Sequence, residues 1–552
     1  MQRLMKRLTT ILIALFISLS FLSAQSIVPR PESMTPRKGT FRLEGAAVKC
    51  DPAMDAASID AVKRFSARVS LLSGKSASVS SPIGLAQAVS QGSAKGLIFL
   101  CDNSLQKEEY ILDINPSMAL VKAGSLNGFL YALQTLRQLL PASVYGTRAG
   151  GGEKFNLPCC LIEDKPRFEY RGMHLDCSRH FWSVREIKRY LDVMAMFKLN
   201  RFHWHLTDDQ GWRLEINSYP LLTQKGAYRE GTMIGKDFSS NDGVRYGGSY
   251  SQQEVREVVQ YAASLGIEVV PEIDLPGHML AALSAYPYLG CSGGPYQAWT
   301  KWGVSPQVLC VGKESTFEFL EAVLSEVCEL FPSEYIHIGG DECPKEEWEK
   351  CPDCQARIAA LGLSDKDGYS AEQYLQNYVT ARIQTFLASK GKKIIGWDEI
   401  LEGELAPGAT VMSWRGTAGA KQAAAKGFDV IMTPNSHFYF DYCQSRDSAS
   451  EPLCIGGYVG LETVYSFDPF EGIAPEAQGR IKGVQANLWT EYISEESHLE
   501  YMLLPRMLAL SEIQWCAPQN LDFERFLKDL ETHEEKVLET AGYNFRKKIV
   551  TL

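Results

Sequence analysis

A chain of 552 residues that is 45% hydrophobic and 22% charged exceeds one domain and can bury a large core, which excludes a disordered or fibrous protein. Its formal charge of −10 comes without any basic block, which argues against nucleic acid as a partner and favours a neutral or cationic ligand. The first residues read as an export signal: Arg3, Lys6 and Arg7 make a basic start, 11–22 is mostly apolar, and Ser23, Ala24 and Ser26 are small. A run of twelve residues is too short to span a bilayer, so cleavage near Ala24 is expected, with no membrane insertion afterwards and a periplasmic or extracellular location. Losing the three basic residues takes the charge from −10 to −13.

After the signal, 25–166 mixes short strands (97–100, 109–114 and 119–122) with an amphipathic helix at 125–140. A glycine-rich turn at 149–152 lies near its end. This stretch reads as a small α+β domain without a chemical constellation. Its adjacent acids Glu108 and Glu109, like Glu346 and Glu347 later, are expected to be solvated.

From 167 the rhythm changes. Strand-like runs recur at 170–176, 201–206, 268–273, 335–338, 393–397, 410–414, 430–433 and 484–489, with helical patterns at 184–197, 252–265, 316–331 and 371–390. Eight β-then-α units over 167–552, with a long loop before the last strand and a helical C-terminal segment, predict a (β/α)8 barrel. An open doubly wound sheet would want a glycine-rich phosphate loop after an early strand, and none is present.

A barrel of this type concentrates chemistry at the C-terminal ends of its strands. Asp176 and Arg179 follow the first run, Asp208 and Asp209 the second, Asp274 and His278 the third. Asp341 and Glu342 follow the fourth, after two glycines that let the chain turn sharply. Two like charges against apolar walls raise one pKa, which suits a general acid with a carboxylate partner. Trp397, Trp414 and Trp489 end the fifth, sixth and eighth runs, where they form either a box for a sugar ring or acyl group or a plug in the barrel top. Arg179 is a fork donor for hydroxyls or a carboxylate, or an ion-pair partner of Asp176. Tyr439, Asp441 and Glu491 add a hydroxyl and acceptors near the last two strands.

Two further groupings invite a metal. His203 and His205 share one strand face and, with His278, His337 and Asp341, could ligate an ion; packing is the simpler reading, because a metal leaves the tryptophans and Arg179 without a task. Cys351-Pro-Asp-Cys354, with Cys343 upstream, supplies three of the four ligands a structural zinc wants, so a local disulfide or packing is expected instead. In an exported chain Cys291/Cys310 and Cys443/Cys454 are candidate disulfides.

Five segments together carry a resemblance: Arg171-Gly-Met-His-Leu-Asp-Cys-Ser-Arg-His-Phe181, His203-Trp-His-Leu-Thr-Asp-Asp-Gln-Gly-Trp-Arg213, Pro271-Glu-Ile-Asp-Leu-Pro-Gly-His278, His337-Ile-Gly-Gly-Asp-Glu342 and Gly396-Trp-Asp-Glu399. In order and at matching strand ends, they closely resemble the family-20 β-N-acetylhexosaminidases, over nearly the whole chain. The resemblance implies exo-acting, retaining hydrolysis of terminal β-linked N-acetylglucosamine or N-acetylgalactosamine from glycans, with the substrate's acetamido oxygen as nucleophile. It implies Glu342 as general acid and base, and Asp341 as the carboxylate that orients the acetamido group. Tyr439 is then a donor to the acetamido oxygen, and Arg179, Asp441 and Glu491 bind hydroxyls. Trp397, Trp414 and Trp489 enclose the sugar, and Asp208 and His278 support Glu342. No metal or organic cofactor is implied. A sugar-binding protein without turnover and a metal-dependent hydrolase are the competing readings.

Overall fold

The computed structural model describes residues 26–146 and 154–547. The export signal and the glycine-rich turn at 149–152 lie outside them. Among the described residues no helix is long and apolar enough to cross a membrane.

The N-terminal part is a seven-stranded sheet in the order Ser33–Arg42, Asn156–Asp164, Tyr110–Asn115, Met118–Ala123, Gly96–Cys101, Val48–Cys50, Val79–Ser80. Helices Ala56–Ser73 and Leu126–Gln138 pack on one face, where Val62, Phe65, Phe129 and Leu136 meet Leu97, Phe99, Leu112 and Val121. The alternation in 110–115 made that strand visible in the sequence, because every second residue is buried. Ser33–Arg42 carried no such signal: it is an edge strand exposed along most of its length, so its residues follow no burial period.

The expected barrel is present. Eight parallel strands close in chain order: β1 (Tyr170–Asp176), β2 (Arg201–His205), β3 (Glu268–Glu272), β4 (Tyr335–His337), β5 (Lys393–Trp397), β6 (Thr410–Ser413), β7 (Asp429–Met432) and β8 (Ile481–Ala486), with β8 pairing β1 through Gly483 and Tyr170. The intervening helices begin well capped. Ser183 and Ser251 each form a reciprocal capping box with a glutamate three residues on, fixing where Val184–Met196 and Gln252–Ser264 start. β8 starts three residues earlier than the pattern indicated. Asn487, Leu488 and Trp489 lie beyond its ladder, so their apolar character belongs to the mouth of the barrel and not to the strand.

Glu108 corrects the solvation expectation. Its carboxylate takes both terminal nitrogens of Arg171 on β1 at 3.0 and 3.1 Å, the Tyr131 hydroxyl at 2.9 Å and the Asn200 amide at 3.1 Å. The sequence concealed this because the partners come from three distant segments. Burial would raise the Glu108 pKa, but the Arg171 charge and these donors reverse that and hold it at about 2. A second buried pair, Lys198 with Asp164 at 2.9 Å, and the Trp515 indole on the same aspartate join sheet and barrel nearby. Glu346 is exposed and Glu347 partly so, as expected of a solvated pair.

The cysteines also depart from expectation in part. Cys443 and Cys454 form the anticipated disulfide. Cys291 and Cys310 do not pair; they are free and gather with Cys351 and Cys354, while Cys343 is absent from that group. The cause is topological: an antiparallel bridge between Gly290 and Leu309 brings the first two thiols to the start of the helix that bears the other two.

Glu108 has a folded pKa below its unfolded value of 4.5, so its contribution is present above that pH and is lost as pH falls toward 2. Glu108→Gln is expected to cost roughly 3 kcal/mol at pH 7. The gap from wild type should narrow below about pH 4.5, checked by thermal unfolding of both proteins across pH.

Candidate active site

The site begins with a turn. After β4 the chain passes Ile338 and enters Gly339 and Gly340 at φ +63° and +95°, then Glu342 at φ +45°. A Cβ on Gly339 would overlap the Asp274 carboxylate, which instead accepts the Gly340 amide at 3.2 Å. Only glycine satisfies both the left-handed backbone and the close approach. The turn throws Asp341 and Glu342 into the barrel mouth, with Asp341 buried and the Glu342 side chain 41% exposed.

A chain of charges backs the two acids. His278, itself left-handed at φ +51°, lies with Nε2 at 3.6 Å from Glu342 and 3.9 Å from Asp341. Its Nδ1 is 3.0 Å from Asp208 and 3.3 Å from Asp209. Asp208 also meets Arg179 at 2.9 Å and His205 at 3.0 Å. Burial disfavours charge on His278, but Asp208 and Asp209 outweigh it and hold its pKa well above the usual value. Burial would likewise raise Asp208, yet Arg179 and His278 keep it ionised.

Glu342, facing the His278 imidazolium, is held below the ordinary glutamate value. Asp341 is pushed up to about 6 by burial, with Glu272 and Glu342 adding to the effect and His278 opposing it. The sequence argument that one member of the pair is raised holds, but in the free protein the raised member is Asp341.

Arg179 keeps both predicted options. Its guanidinium contacts Asp176 at 3.4 Å and Gln210 at 3.0 Å besides Asp208, and it stacks over Trp489 at 5.1 Å. Burial and the Glu491 charge push Asp441 well above the ordinary range, while burial raises Glu491 against the pull of Arg179. Asp441 Oδ1, Glu491 Oε2 and Asp341 Oδ1 are buried with no hydrogen-bond partner. Buried acceptors left open in this way suit a ligand's O–H and N–H groups.

The aromatic residues converge. Trp414 stacks with Tyr439 at 6.1 Å, Tyr439 meets Trp489 at 6.4 Å, and Trp489 meets Trp397 at 6.0 Å. Trp397 is 1% exposed and donates its indole N–H to Glu272 at 3.0 Å, so it forms the floor, with Trp414, Tyr439 and Trp489 as walls. Burial and the Asp441 charge keep Tyr439 neutral, with its pKa well above 10, hence a hydroxyl donor.

Sequence reasoning missed two acids. Glu272 lies level with His205 and His337 in the ladder and is the hub beneath the site: His203, His205 and His337 approach it at 2.8, 2.6 and 3.0 Å. The five residues weighed as one ligand set thus fall into two groups, His203, His205 and His337 around Glu272 and His278 with Asp341 beside Asp208. An acid in the otherwise buried run 268–272, flanked by histidine-bearing strands, was the available signal. Glu399 accepts the Trp414 indole at 3.0 Å and is raised to about 9 by burial and the Asp341 charge.

Family comparison decides the assignment. Residues 168–518 match the glycosyl hydrolase family 20 catalytic domain, and 24–165 match domain 2 of that family. The chain belongs to glycosyl hydrolase family 20. It is 41% identical to a β-hexosaminidase of Porphyromonas gingivalis over 92% of its length, spanning 62% of that relative. A β-hexosaminidase of Akkermansia muciniphila is 34% identical, with 83% of this chain and 90% of that relative covered. The family-20 exo-β-N-acetylglucosaminidase of Vibrio harveyi, solved with N-acetylglucosamine, superposes with a TM-score of 0.81 at 33% identity, over 95% of this chain and 78% of that one.

Gly339→Ala should leave the family-20 barrel folded, judged by circular dichroism, yet lower hydrolysis by roughly a hundredfold or more, because the methyl group must displace the turn that aims both acids.

Proposed function

We propose that the chain is an exo-acting, retaining β-N-acetylhexosaminidase that releases terminal β-linked N-acetylglucosamine or N-acetylgalactosamine by substrate-assisted catalysis. The observation that carries this reading is the buried, unpartnered Asp341 Oδ1 beside an aromatic recess, next to the one acid of the pair that solvent reaches. Family membership and the names of the relatives support it.

In the first step the acetamido carbonyl oxygen attacks C1 while the bond from C1 to the leaving oxygen breaks. Glu342 delivers its proton to that oxygen, and a cyclic oxazolinium ion forms. Asp341 accepts the acetamido N–H and balances the cation, and Tyr439 donates to the carbonyl oxygen and holds it in line. A water deprotonated by Glu342 then attacks C1 from the vacated face and expels the acetamido oxygen, restoring the β configuration. Arg179, Asp441 and Glu491 hold ring hydroxyls, while Trp414 and Trp489 shield the ring.

Proton placement follows from burial. Sugar binding removes water from Glu342 and raises its pKa, and an N–H donated to Asp341 stabilises that carboxylate and lowers its own. Substrate therefore inverts the order of the free protein and moves the proton to the acid that needs it. The basic and apolar N-terminus and the Cys443–Cys454 disulfide support export of the chain; N-terminal sequencing should find the mature protein starting near residue 25.

The reading is tested with 4-nitrophenyl N-acetyl-β-glucosaminide against the matching β-glucoside. Turnover of the first and almost none of the second is expected; comparable rates would mean a protein nucleophile and overturn the mechanism. A plot of kcat/KM against pH should fall off above about 6, where the free pair loses the proton held on Asp341 that substrate transfers to Glu342. That limb should move to lower pH in Asp341→Asn, whose residual rate should be lower by a factor of roughly a hundred or more.

A further inference from the structure

Outside the sugar site the most concentrated group of metal-ligating atoms is sulfur. Cys291 and Cys310 flank the bridge between Gly290 and Leu309 in the loop after β3, and Cys351 and Cys354 open the helix Pro352–Leu361 after β4. Sequence paired Cys291 with Cys310 but did not join them to the Cys-x-x-Cys pair. The fold brings the other two to it from more than forty residues away, so that all four Sγ atoms lie within 4.8 Å of one another.

The separations discriminate between the possible states. Cys310 Sγ lies 3.5 Å from Cys351 and 3.7 Å from Cys354, and Cys291 lies 4.0 Å from Cys354. A disulfide would bring two sulfurs to about 2.05 Å. Cys443 and Cys454 are bonded elsewhere in the same chain, whereas these four are free. A zinc ion with four thiolates at about 2.3 Å sets sulfur–sulfur edges of roughly 3.8 Å, which the three distances bracket. An iron–sulfur cluster would need wider spacing, since its bridging sulfides lie between the ligands.

The surroundings agree with a bound anionic centre. Cys310, Cys351 and Cys354 are buried and Cys291 partly so. Lys313 reaches the Gly290 carbonyl at 2.9 Å, placing a positive charge beside the group. Cys354 sits in the first turn of its helix, where backbone N–H dipoles favour thiolate.

We propose that Cys291, Cys310, Cys351 and Cys354 bind one zinc ion as a closed tetrahedral tetrathiolate that staples the loop after β3 to the loop after β4. Four protein ligands leave no open position, so the ion is structural. Binding releases one proton from each coordinating thiol and changes no oxidation state. The staple bears on the catalytic turn through short connections. Cys351 follows Glu342 by nine residues, and the Trp348 indole between them donates to the Leu309 carbonyl at 2.9 Å. Leu309 in turn donates to the Pro276 carbonyl at 3.1 Å, two residues before His278.

The test uses the full chain purified without reductant or added metal. Elemental analysis should find about one zinc per chain, and thiol titration of the denatured protein with chelator should count all twelve free cysteines. Replacement by cobalt should give the intense visible bands of a tetrahedral thiolate complex. Cys291→Ser and Cys354→Ser should each lose the metal and lower Tm by roughly 5 °C or more. No zinc with four fewer thiols would mean two disulfides, no zinc with all twelve thiols would mean packed free cysteines, and iron in place of zinc would mean a different centre; each overturns the proposal. The wild-type measurements decide it even if the variants fail to fold, and they do not depend on the sugar chemistry.

Discussion

The constraint on which this structure depends is the burial of charge at the mouth of the barrel. Asp176, Asp208, Asp209 and Glu272 are almost wholly excluded from solvent, and each carboxylate left uncompensated there would cost several kcal/mol. Compensation comes from the ends of neighbouring strands: Arg179 after β1, His205 on β2, His278 after β3 and His337 on β4. The order of charges from Arg179 through Asp208 to His278 and Glu342 alternates in sign, so each member stabilises the next. This arrangement fixes the positions of the two acids more firmly than hydrophobic packing could, because a small displacement of any member leaves a buried charge unpaired. It also explains the strained backbone at His278 and Glu342, since a left-handed residue persists only where its surroundings over-determine it.

The layer beneath has a different task. Glu272 gathers three imidazoles and the Trp397 indole, and the histidines it holds do not share one protonation state. Burial and the neighbouring His337 press His203 down to about 4, whereas Glu272 and Asp208 overcome the burial of His205 and lift it to about 10. This network orients the floor of the recess through the Trp397 hydrogen bond and reaches the layer above through His205, which meets Asp208 at 3.0 Å. Trp397 therefore gains its place from a hydrogen bond at its edge, while its ring packs against His337, His203, Trp489 and His174.

Most of this was legible in the sequence because a parallel barrel imposes a simple rule. Strands buried on both faces read as apolar runs, and functional side chains follow them. The residues after each run, from Asp176 to Glu491, were therefore identifiable without coordinates, and the recurring motifs sharpened their roles. The features that escaped share a cause: each depends on partners far apart in the chain. Glu108 looked like a surface acid until Arg171, Tyr131 and Asn200 converged on it. Glu272 looked like part of a strand, and its role appears only when ladder register sets it level with His205 and His337. The order of pKa values between Asp341 and Glu342 depends on which of them faces His278 most directly and which faces solvent, and neither fact has a signature in local sequence.

The same distinction bears on the cysteines. Spacing along the chain made Cys351 and Cys354 a pair and nominated Cys343 as their neighbour, because sequence proximity is the only proximity a reader of sequence has. The barrel substitutes another kind: loops after adjacent strands meet at the mouth wherever they originate in the chain. Loops after β3 and β4 are the two that carry His278 and the Asp341–Glu342 pair, and few backbone hydrogen bonds hold one against the other. A coordinate tie between them forms only in the folded chain, so its binding free energy adds to folding and restrains the two loops there. The tryptophan and backbone links from Cys351 through Trp348 and Leu309 to Pro276 then carry that restraint to within two residues of the imidazole that governs Glu342.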